Sequence, residues 1–198
     1  MLSFRHTMRT HLGEVPEDRD WRAGFGTPLR TQLAKFARNQ DEVDTMTSTY
    51  VAYTNAHHDR LVEAYPGIHE MLTSLRTPGR KFAIVTSKNR RAMDRGLQNC
   101  GLAEFFDVSV TTDDVDQYKP HPAPVIEALD RLSANASDAV FVGDSPHDMA
   151  AGRAACVQTA AALWGPFQRH SLAEQRPDFW LDHPRDIERL TQPTTAQV

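Results

Sequence analysis

Side chains suited to phosphate and Mg²⁺ follow three separate apolar segments of this chain. Thr86 and Ser87 come directly after KFAIV, Lys119 comes shortly after VSVTT, and Asp144 and Asp148 come after VFVG. In phosphoryl transfer to water or an alcohol, carboxylates hold Mg²⁺, a lysine neutralises phosphate oxygens, and hydroxyl and backbone N–H groups bind the remaining oxygens. These residue types therefore indicate Mg²⁺-dependent phosphoryl transfer, provided that the fold brings them to one place.

The apolar segments that precede these residues have the character of strands in a parallel sheet. From about residue 65 onward, short β-rich runs without polar alternation alternate with helical patterns, as strands covered on both faces require. The predicted strands are 81–87, 105–112, 138–144 and 157–164, and the predicted helices lie near 90–99, 122–133 and 147–155. The tail DFWLDHPRDIERL predicts a further short strand and a helix. Ligands bind beyond the carboxyl ends of the strands in such a sheet, so the polar residues should converge on one edge. The predicted fold class is α/β, with a doubly wound parallel sheet.

The first third of the chain has helical periodicity instead. Apolar residues recur there at the spacing of one helix face, in three successive segments. The apolar faces are Phe4, Met8 and Leu12; Leu29, Leu33 and Phe36; and Val43, Met46, Tyr50, Tyr53, His57 and Leu61. We therefore predict a small helical unit over residues 1–64 and an α/β core over residues 65–198.

Composition and charge favour a protein that acts on small molecules. Hydrophobic residues make up 40% and charged residues 24% of the chain, which is the ordinary globular mixture. The formal net charge is -4 and the basic residues are not clustered, so nothing indicates binding to nucleic acid or to an anionic membrane. The N-terminus lacks the apolar core of a signal peptide, and Cys100 and Cys156 lack the spacing of a zinc site. We expect a cytoplasmic protein with a small-molecule substrate.

Each candidate residue also has a purely structural interpretation. Thr86 or Ser87 after a strand is compatible with the N-cap of the next helix. Lys119 in YKPHPAP is compatible with a surface lysine fixed by prolines. Asp144 closes a buried strand, which is costly for an unpartnered carboxylate, but N-capping the next helix would also explain it. The combination of all these groups in this order is what favours a functional site.

The same segments resemble the motifs of a known superfamily of phosphatases. VTSKN resembles motif II of the haloacid dehalogenase (HAD) superfamily, YKPHP resembles its motif III lysine, and VGDSPHDMAAG resembles its motif IV. The likeness extends over essentially the whole chain and is greatest to the phosphoglycolate phosphatase and pyrophosphatase branches. The helical unit at residues 1–64 resembles the small α-helical cap of these enzymes, and the core resembles their Rossmann-like sheet.

The resemblance implies a role for each candidate residue. Thr86 and the backbone of Ser87 would bind phosphate, and Lys119 would hold phosphate and nucleophile together. Asp144 would ligate Mg²⁺, and Asp148 would either complete the metal site through water or orient Lys119. The implied substrate is a small phosphorylated metabolite such as phosphoglycolate, or pyrophosphate.

The sequence departs from the family at the nucleophile. HAD phosphatases attack phosphorus with the first aspartate of a DxDx(T/V) motif that ends the first strand, and the second aspartate acts as general acid and base. This sequence contains no such motif. Asp18 and Asp20 do not follow a strand, and Asp114 and Asp116 are followed by Tyr118 at the fifth position. We therefore expect that the sequence begins inside the first cap helix, that it binds Mg²⁺ weakly, and that by itself it has negligible phosphatase activity. The absent strand would expose sheet edges, which predicts a homodimer through such an edge.

Two further points stay open from the sequence. In AGFGTPLR, Thr27 and Arg30 are candidates for contacting a second anionic group of the substrate, although a plain helix start at Pro28 is equally compatible. A non-catalytic phosphate-binding module and a receiver-like regulatory module are the alternatives to an enzyme. A receiver would have its acidic pair first along the chain, whereas here the acidic pair comes last.

Overall fold

A computed structural model describes residues 1–191 of the chain and begins with four helices. They are α1 (Leu2–Leu12), α2 (Asp18–Arg22), α3 (Leu29–Leu33) and α4 (Gln40–Leu61). Their buried faces form one apolar cluster that consists of Phe4, Met8, Trp21, Leu33 and Met46. The Phe4 and Trp21 rings stack with their centroids 4.5 Å apart. The helical character predicted for this part of the chain is confirmed, while the boundary between the two units stays a prediction.

Strands and helices alternate in the rest of the chain. The elements are α5 (Ile68–Leu75), β1 (Ala83–Val85), α6 (Arg90–Asn99), β2 (Val108–Val110), α7 (Ala123–Leu132), β3 (Val140–Gly143), α8 (Pro146–Ala154), β4 (Gln158–Ala162), α9 (Arg169–Ala173) and β5 (Phe179–Leu181). Short 3₁₀-helices cover Ala103–Phe105, Ala136–Asp138 and Pro184–Thr191. All the predicted strands are present, each shorter than its apolar run because only part of the run pairs with a neighbour. The helix predicted in the tail is a 3₁₀-helix.

Every pair of neighbouring strands is parallel, as predicted, but the strands form two sheets. β1 pairs with β2, while β3, β4 and β5 form a separate sheet in that order. Within residues 1–191, β1 and β3 each pair on one side only. Residues of both strands, together with residues of α5 and α7, line an apolar cavity of about 1210 Å³. The break in the sheet therefore lies between β1 and β3.

Helices of the core hold the strand ends in place. α7 packs on β1 and β2, and α8 packs on β3 and β4. Val125 on α7 and Ala151 on α8 share one apolar cluster with the β-strand residues Val85 and Phe141. This shared cluster connects the two sheets. None of the helices over residues 1–191 has both the length and the apolar character needed to cross a membrane.

Candidate active site

A buried ion pair lies between the carboxyl ends of β1 and β3. The Lys119 Nζ atom is 2.7 Å from Asp148 Oδ1, and both side chains are less than a tenth exposed. The same Nζ donates to the carbonyl oxygen of Val85, the last residue of β1, at 3.1 Å. Asp148 lies in the first turn of α8, directly after β3. Lys119 therefore links the carboxyl end of β1 to the first turn of α8, the helix that follows β3.

Asp148 is fixed by a capping box at the start of α8. The Ser145 Oγ donates to Asp148 Oδ2 at 2.7 Å, and the Asp148 N–H donates back to Ser145 Oγ at 3.2 Å. The Ser145 N–H also donates to Asp148 Oδ2, at 3.0 Å. The sequence SPHD produces this arrangement locally, because serine suits the N-cap, proline the first turn and aspartate the third helical position. Asp148 contacts Lys119 directly, which is the geometry of one of the two roles expected for it, and both roles stay predictions.

Asp144 has surroundings that oppose its negative charge. Burial first and the nearby Asp148 carboxylate second raise the pKa of Asp144 from the ordinary 3.8 to about 6, against the attraction of Lys119. No side chain in the described part of the chain donates a hydrogen bond to the Asp144 carboxylate. A cation bound there would remove this penalty. The Asp144 carboxylate is therefore the best candidate ligand for a metal.

The donor set suits a weakly held, hydrated Mg²⁺ ion. Within residues 1–191, no group of three or more His, Cys, Asp or Glu residues has the arrangement of a metal site. Both oxygens of Asp148 are engaged by Lys119 and Ser145, so Asp144 would be the principal protein ligand. Mg²⁺ commonly keeps several waters and uses one or two carboxylates, which is compatible with this set.

The structure excludes the helix-capping and surface-lysine interpretations of the candidate residues. The N-cap of α8 is Ser145, so Asp144 does not cap that helix. The N-cap of α6 is Asn89, so neither Thr86 nor Ser87 has that function. Lys119 is buried and paired, so it is not a surface lysine.

Thr86 and Ser87 lie at the exit of β1, beside the ion pair. The Thr86 N–H donates to the Val110 carbonyl at 2.9 Å, and the Thr86 Oγ accepts from the Lys88 N–H at 3.2 Å. The Ser87 hydroxyl donates to the carbonyl oxygen of Gly26 in the helical unit. The structure therefore places both residues beside Val85, whose carbonyl Lys119 contacts.

Thr27 and Arg30 make their side-chain contacts within the helical unit. The Thr27 Oγ donates to the Gly24 carbonyl at 2.7 Å. Arg30 pairs with Asp44 at the exposed surface. The expected contact of these two side chains with a substrate stays a prediction.

Several residues around the site are not among the candidates predicted from the sequence. Ser145 was readable as a capping residue from the S-x-x-D spacing. His147 follows in the first turn of α8, where burial lowers its pKa. Gly26 lies so close to the core that a Cβ atom there would be 2.6 Å from Ser145 Oγ and 3.3 Å from His147 Cδ2. Gly165 packs against Asp144 in the same way, since a Cβ atom added at Gly165 would be 2.3 Å from the Asp144 Cβ. Such approaches depend on tertiary packing and leave no local signal.

Comparisons of the sequence with known proteins found a family and similar relatives. Residues 1–162 match the family described as haloacid dehalogenase-like hydrolase. The chain is 39% identical to pyrophosphatase PpaX of Bacillus cereus (strain B4264) over 185 residues, which cover 93% of this chain and 85% of that protein. It is 37% identical to pyrophosphatase PpaX of Bacillus thuringiensis (strain Al Hakam) over the same share of each chain.

Solved structures share the fold. A predicted phosphoglycolate phosphatase from Haemophilus somnus superposes with a TM-score of 0.85 at 22% identity, covering 96% of this chain and 89% of that chain. A haloacid dehalogenase-like hydrolase from Streptococcus pneumoniae superposes with a TM-score of 0.82 at 24% identity, with the same coverage.

Proposed function

Since the chain belongs to the family of haloacid dehalogenase-like hydrolases, we propose that its site at the ends of β1 and β3 is that of a Mg²⁺-dependent phosphatase. The proposed substrate is a small phosphorylated metabolite of the phosphoglycolate type, or pyrophosphate. The buried Lys119–Asp148 pair, beside a half-buried Asp144 carboxylate that accepts no side-chain hydrogen bond within residues 1–191, is the observation that carries the proposal. Relatives named as pyrophosphatases support pyrophosphate as the first substrate to test.

Each residue has a distinct part in this proposal. The Thr86 hydroxyl and the Ser87 N–H bind phosphate oxygens, and the Lys119 ammonium neutralises their charge. Asp148 holds Lys119 in position through its own fixed carboxylate. Asp144 holds Mg²⁺, which when bound supplies positive charge to the transferring phosphoryl group.

The nucleophile is the part that these residues do not supply. Asp18 is paired with Arg5, with its Oδ2 atom 2.6 Å from Arg5 Nη2. Asp114 accepts hydrogen bonds from Arg90, Arg131 and Thr111. Neither carboxylate is therefore available for attack, and we propose that residues 1–198 alone have negligible phosphatase activity.

A strand between β1 and β3 is the place from which the nucleophile would come. Both strands have an unpaired side facing a common apolar cavity within the described residues. A parallel strand seated there would end beside Lys119, because Lys119 links the carboxyl end of β1 to α8, the helix that follows β3. An aspartate at its end would form the aspartyl-phosphate that hydrolysis requires.

Turnover by two chains tests the proposal. One chain is residues 1–198, and the other carries an N-terminal extension with a hydrophobic strand and a DxDxT motif. Pyrophosphate, phosphoglycolate and an aryl phosphate are compared at equal protein concentration with Mg²⁺, and an extension with its first aspartate changed to asparagine is the matched control. We expect turnover from the extended chain only. Equal turnover by residues 1–198 would mean that the nucleophile lies within them and that the motif assignment is wrong.

A non-catalytic phosphate-binding module is the second candidate, and the absence of DxDx(T/V) from the sequence favours it. In that case, the extended chain would bind phosphate without turning over any of the three substrates. A cytoplasmic location and the absence of nucleic-acid and membrane partners belong to the same proposal.

A further inference from the structure

One loop of the helical unit lies directly over the exits of three core strands. This cap loop, defined as residues 24–27, accepts a hydrogen bond from the Ser87 hydroxyl through its Gly26 carbonyl. Gly26 also approaches Ser145, where an added Cβ atom would be 2.6 Å from the hydroxyl oxygen. Phe25 meets Phe167 edge to face, with ring centroids 6.5 Å apart. The cap loop therefore contacts the segments that follow β1, β3 and β4.

The cap loop is held firmly from the helical side. The buried Gln32 side chain donates its amide to the Thr27 carbonyl at 2.8 Å and packs under Gly24. Gly26 has a φ of +92°, which a residue with a side chain rarely adopts. These contacts stay within the helical unit, so the cap loop would move together with α1 to α4.

Polar contacts between the two units also occur near the end of α4. Arg95 pairs with Asp59 at 3.0 Å, and the Asn99 amide donates to the Val62 carbonyl at 2.7 Å. These residues lie next to the connection between the units, where a hinge would be placed. The cap loop makes its contacts at the site instead, so opening about that hinge would separate Gly26 from Ser87.

We propose that Ser87 is a positioning residue that connects the phosphate-binding segment to the cap. Its side-chain hydroxyl holds the cap loop closed through the Gly26 carbonyl, while its backbone N–H faces the phosphate. A phosphate that orders Ser87 therefore also favours closure. The contact between the Ser87 hydroxyl and the Gly26 carbonyl, called the closing contact below, is argued from the geometry alone. Its coupling to phosphate rests on the proposed function.

Distance measurements between spin labels test this proposal. One label replaces the exposed Asp41 on α4 and the other replaces the exposed Glu174 in the core, in a Cys100→Ser/Cys156→Ser background. The variants are Ser87→Ala, Ser87→Thr, which keeps the hydroxyl, Gly26→Ala and the control Ser137→Ala. Near-ultraviolet circular dichroism establishes that each variant is folded.

We expect Ser87→Ala to increase the ratio of open to closed molecules by about two- to tenfold, the factor that one neutral hydrogen bond supplies. Ser87→Thr and Ser137→Ala should keep the parent distribution, and Gly26→Ala should be more open than Ser87→Ala. Inorganic phosphate with Mg²⁺ should raise the closed fraction of the parent more than that of Ser87→Ala.

Identical distance distributions for the parent and Ser87→Ala would overturn the closing contact. If phosphate binds but raises the closed fraction of the parent and of Ser87→Ala equally, the coupling would be overturned. If phosphate does not bind at all, the proposed function fails, and the ligand-free comparison still decides the closing contact.

Discussion

Asp144 is a carboxylate in an environment that disfavours its charge, and this has a consequence for stability. Its pKa is raised from 3.8 to about 6, chiefly by burial. The folded protein therefore holds the proton more tightly than the unfolded chain does. At a pH below 3.8, Asp144 is protonated in both the folded and the unfolded protein, so its burial does not lower the free energy of unfolding. As the pH rises to about 6 and above, the free energy of unfolding falls, because the carboxyl group ionises more readily in the unfolded chain.

The change Asp144→Asn should remove this loss. Without a divalent cation, the variant should become more stable than the parent by about 3 kcal/mol as pH rises from about 4 to above 6, since each unit of pKa shift corresponds to about 1.36 kcal/mol. Urea unfolding over that pH range measures the difference. Asp130→Asn, at an exposed position on α7, is the control and should show no such trend. The prediction would be contradicted if the free energies of unfolding of Asp144→Asn and the parent differed by the same amount at every pH.

Replacing Lys119 should destabilise the protein, because its charge is paired with that of Asp148. The change Lys119→Met leaves the buried Asp148 carboxylate without its cation, and we expect it to lower the free energy of unfolding by about 3 kcal/mol. Arg19→Met removes an ion pair to Glu17 in which both side chains are more than half exposed, and it should cost less than about 1 kcal/mol. Urea midpoints at pH 7 compare the two. If Lys119→Met and Arg19→Met lower the free energy of unfolding by equally small amounts, the Lys119–Asp148 pair is not buried in solution.

At the scale of elements, the turn from β3 into α8 sets the geometry of the site. Gly143 ends β3, and a Cβ atom there would be 2.3 Å from the Asp148 Cβ. The strand can therefore pass Asp148 closely only without a side chain at this position. This close approach holds the capping box against the end of β3.

The change Gly143→Ala should displace Asp148 and cost about 2 kcal/mol or more of stability, because a methyl group is forced into a packed position. Gly96→Ala, inside α6, is the matched control, since its Cβ would meet only the Lys88 Nζ at 3.9 Å. That control should be stabilising by about 0.5–1 kcal/mol through helix propensity. Thermal unfolding of both variants tests the contrast, and a Gly143→Ala protein as stable as the parent would refute it.

The sequence predicts these elements better than it predicts their contacts. Uninterrupted apolar runs locate β1 to β4, because buried parallel strands need apolar residues on both faces. The partners of Lys119 were only partly predictable. A link to Asp148 follows from the motif resemblance, whereas the contact with the Val85 carbonyl depends on how two sheets meet. The approach of Gly26 to Ser145 likewise depends on the packing of separate units, which local periodicity does not encode.

At the scale of the whole molecule, the two sheets leave strand edges without partners among residues 1–191. β1 and β3 each pair on one side only within residues 1–191, and the cavity between them is apolar. Open edges of this kind pair readily with another chain. The expected homodimer therefore remains a proposal that the free edges support.

Residues 1–198 should associate as their concentration rises into the range of about 10–100 µM, where exposed edges and apolar surface promote contacts between chains. Sedimentation velocity over this range measures the association. A lysine at the edge of β1, in Ala83→Lys, should weaken it, since charged side chains block edge pairing. A chain that stays monomeric at every concentration would contradict the expectation.

The most direct test of the phosphatase site is the activity of Asp144→Asn in the chain that carries the N-terminal strand and DxDxT motif. If Asp144 holds Mg²⁺, pyrophosphate turnover should fall by about a hundredfold or more, while the unfolding free energy without metal at pH 7 rises. Asp130→Asn in the same chain should keep the parent turnover. Loss of activity with a gain in stability is the predicted result. Turnover of Asp144→Asn within about twofold of the parent would contradict the assignment of this carboxylate, and with it the site.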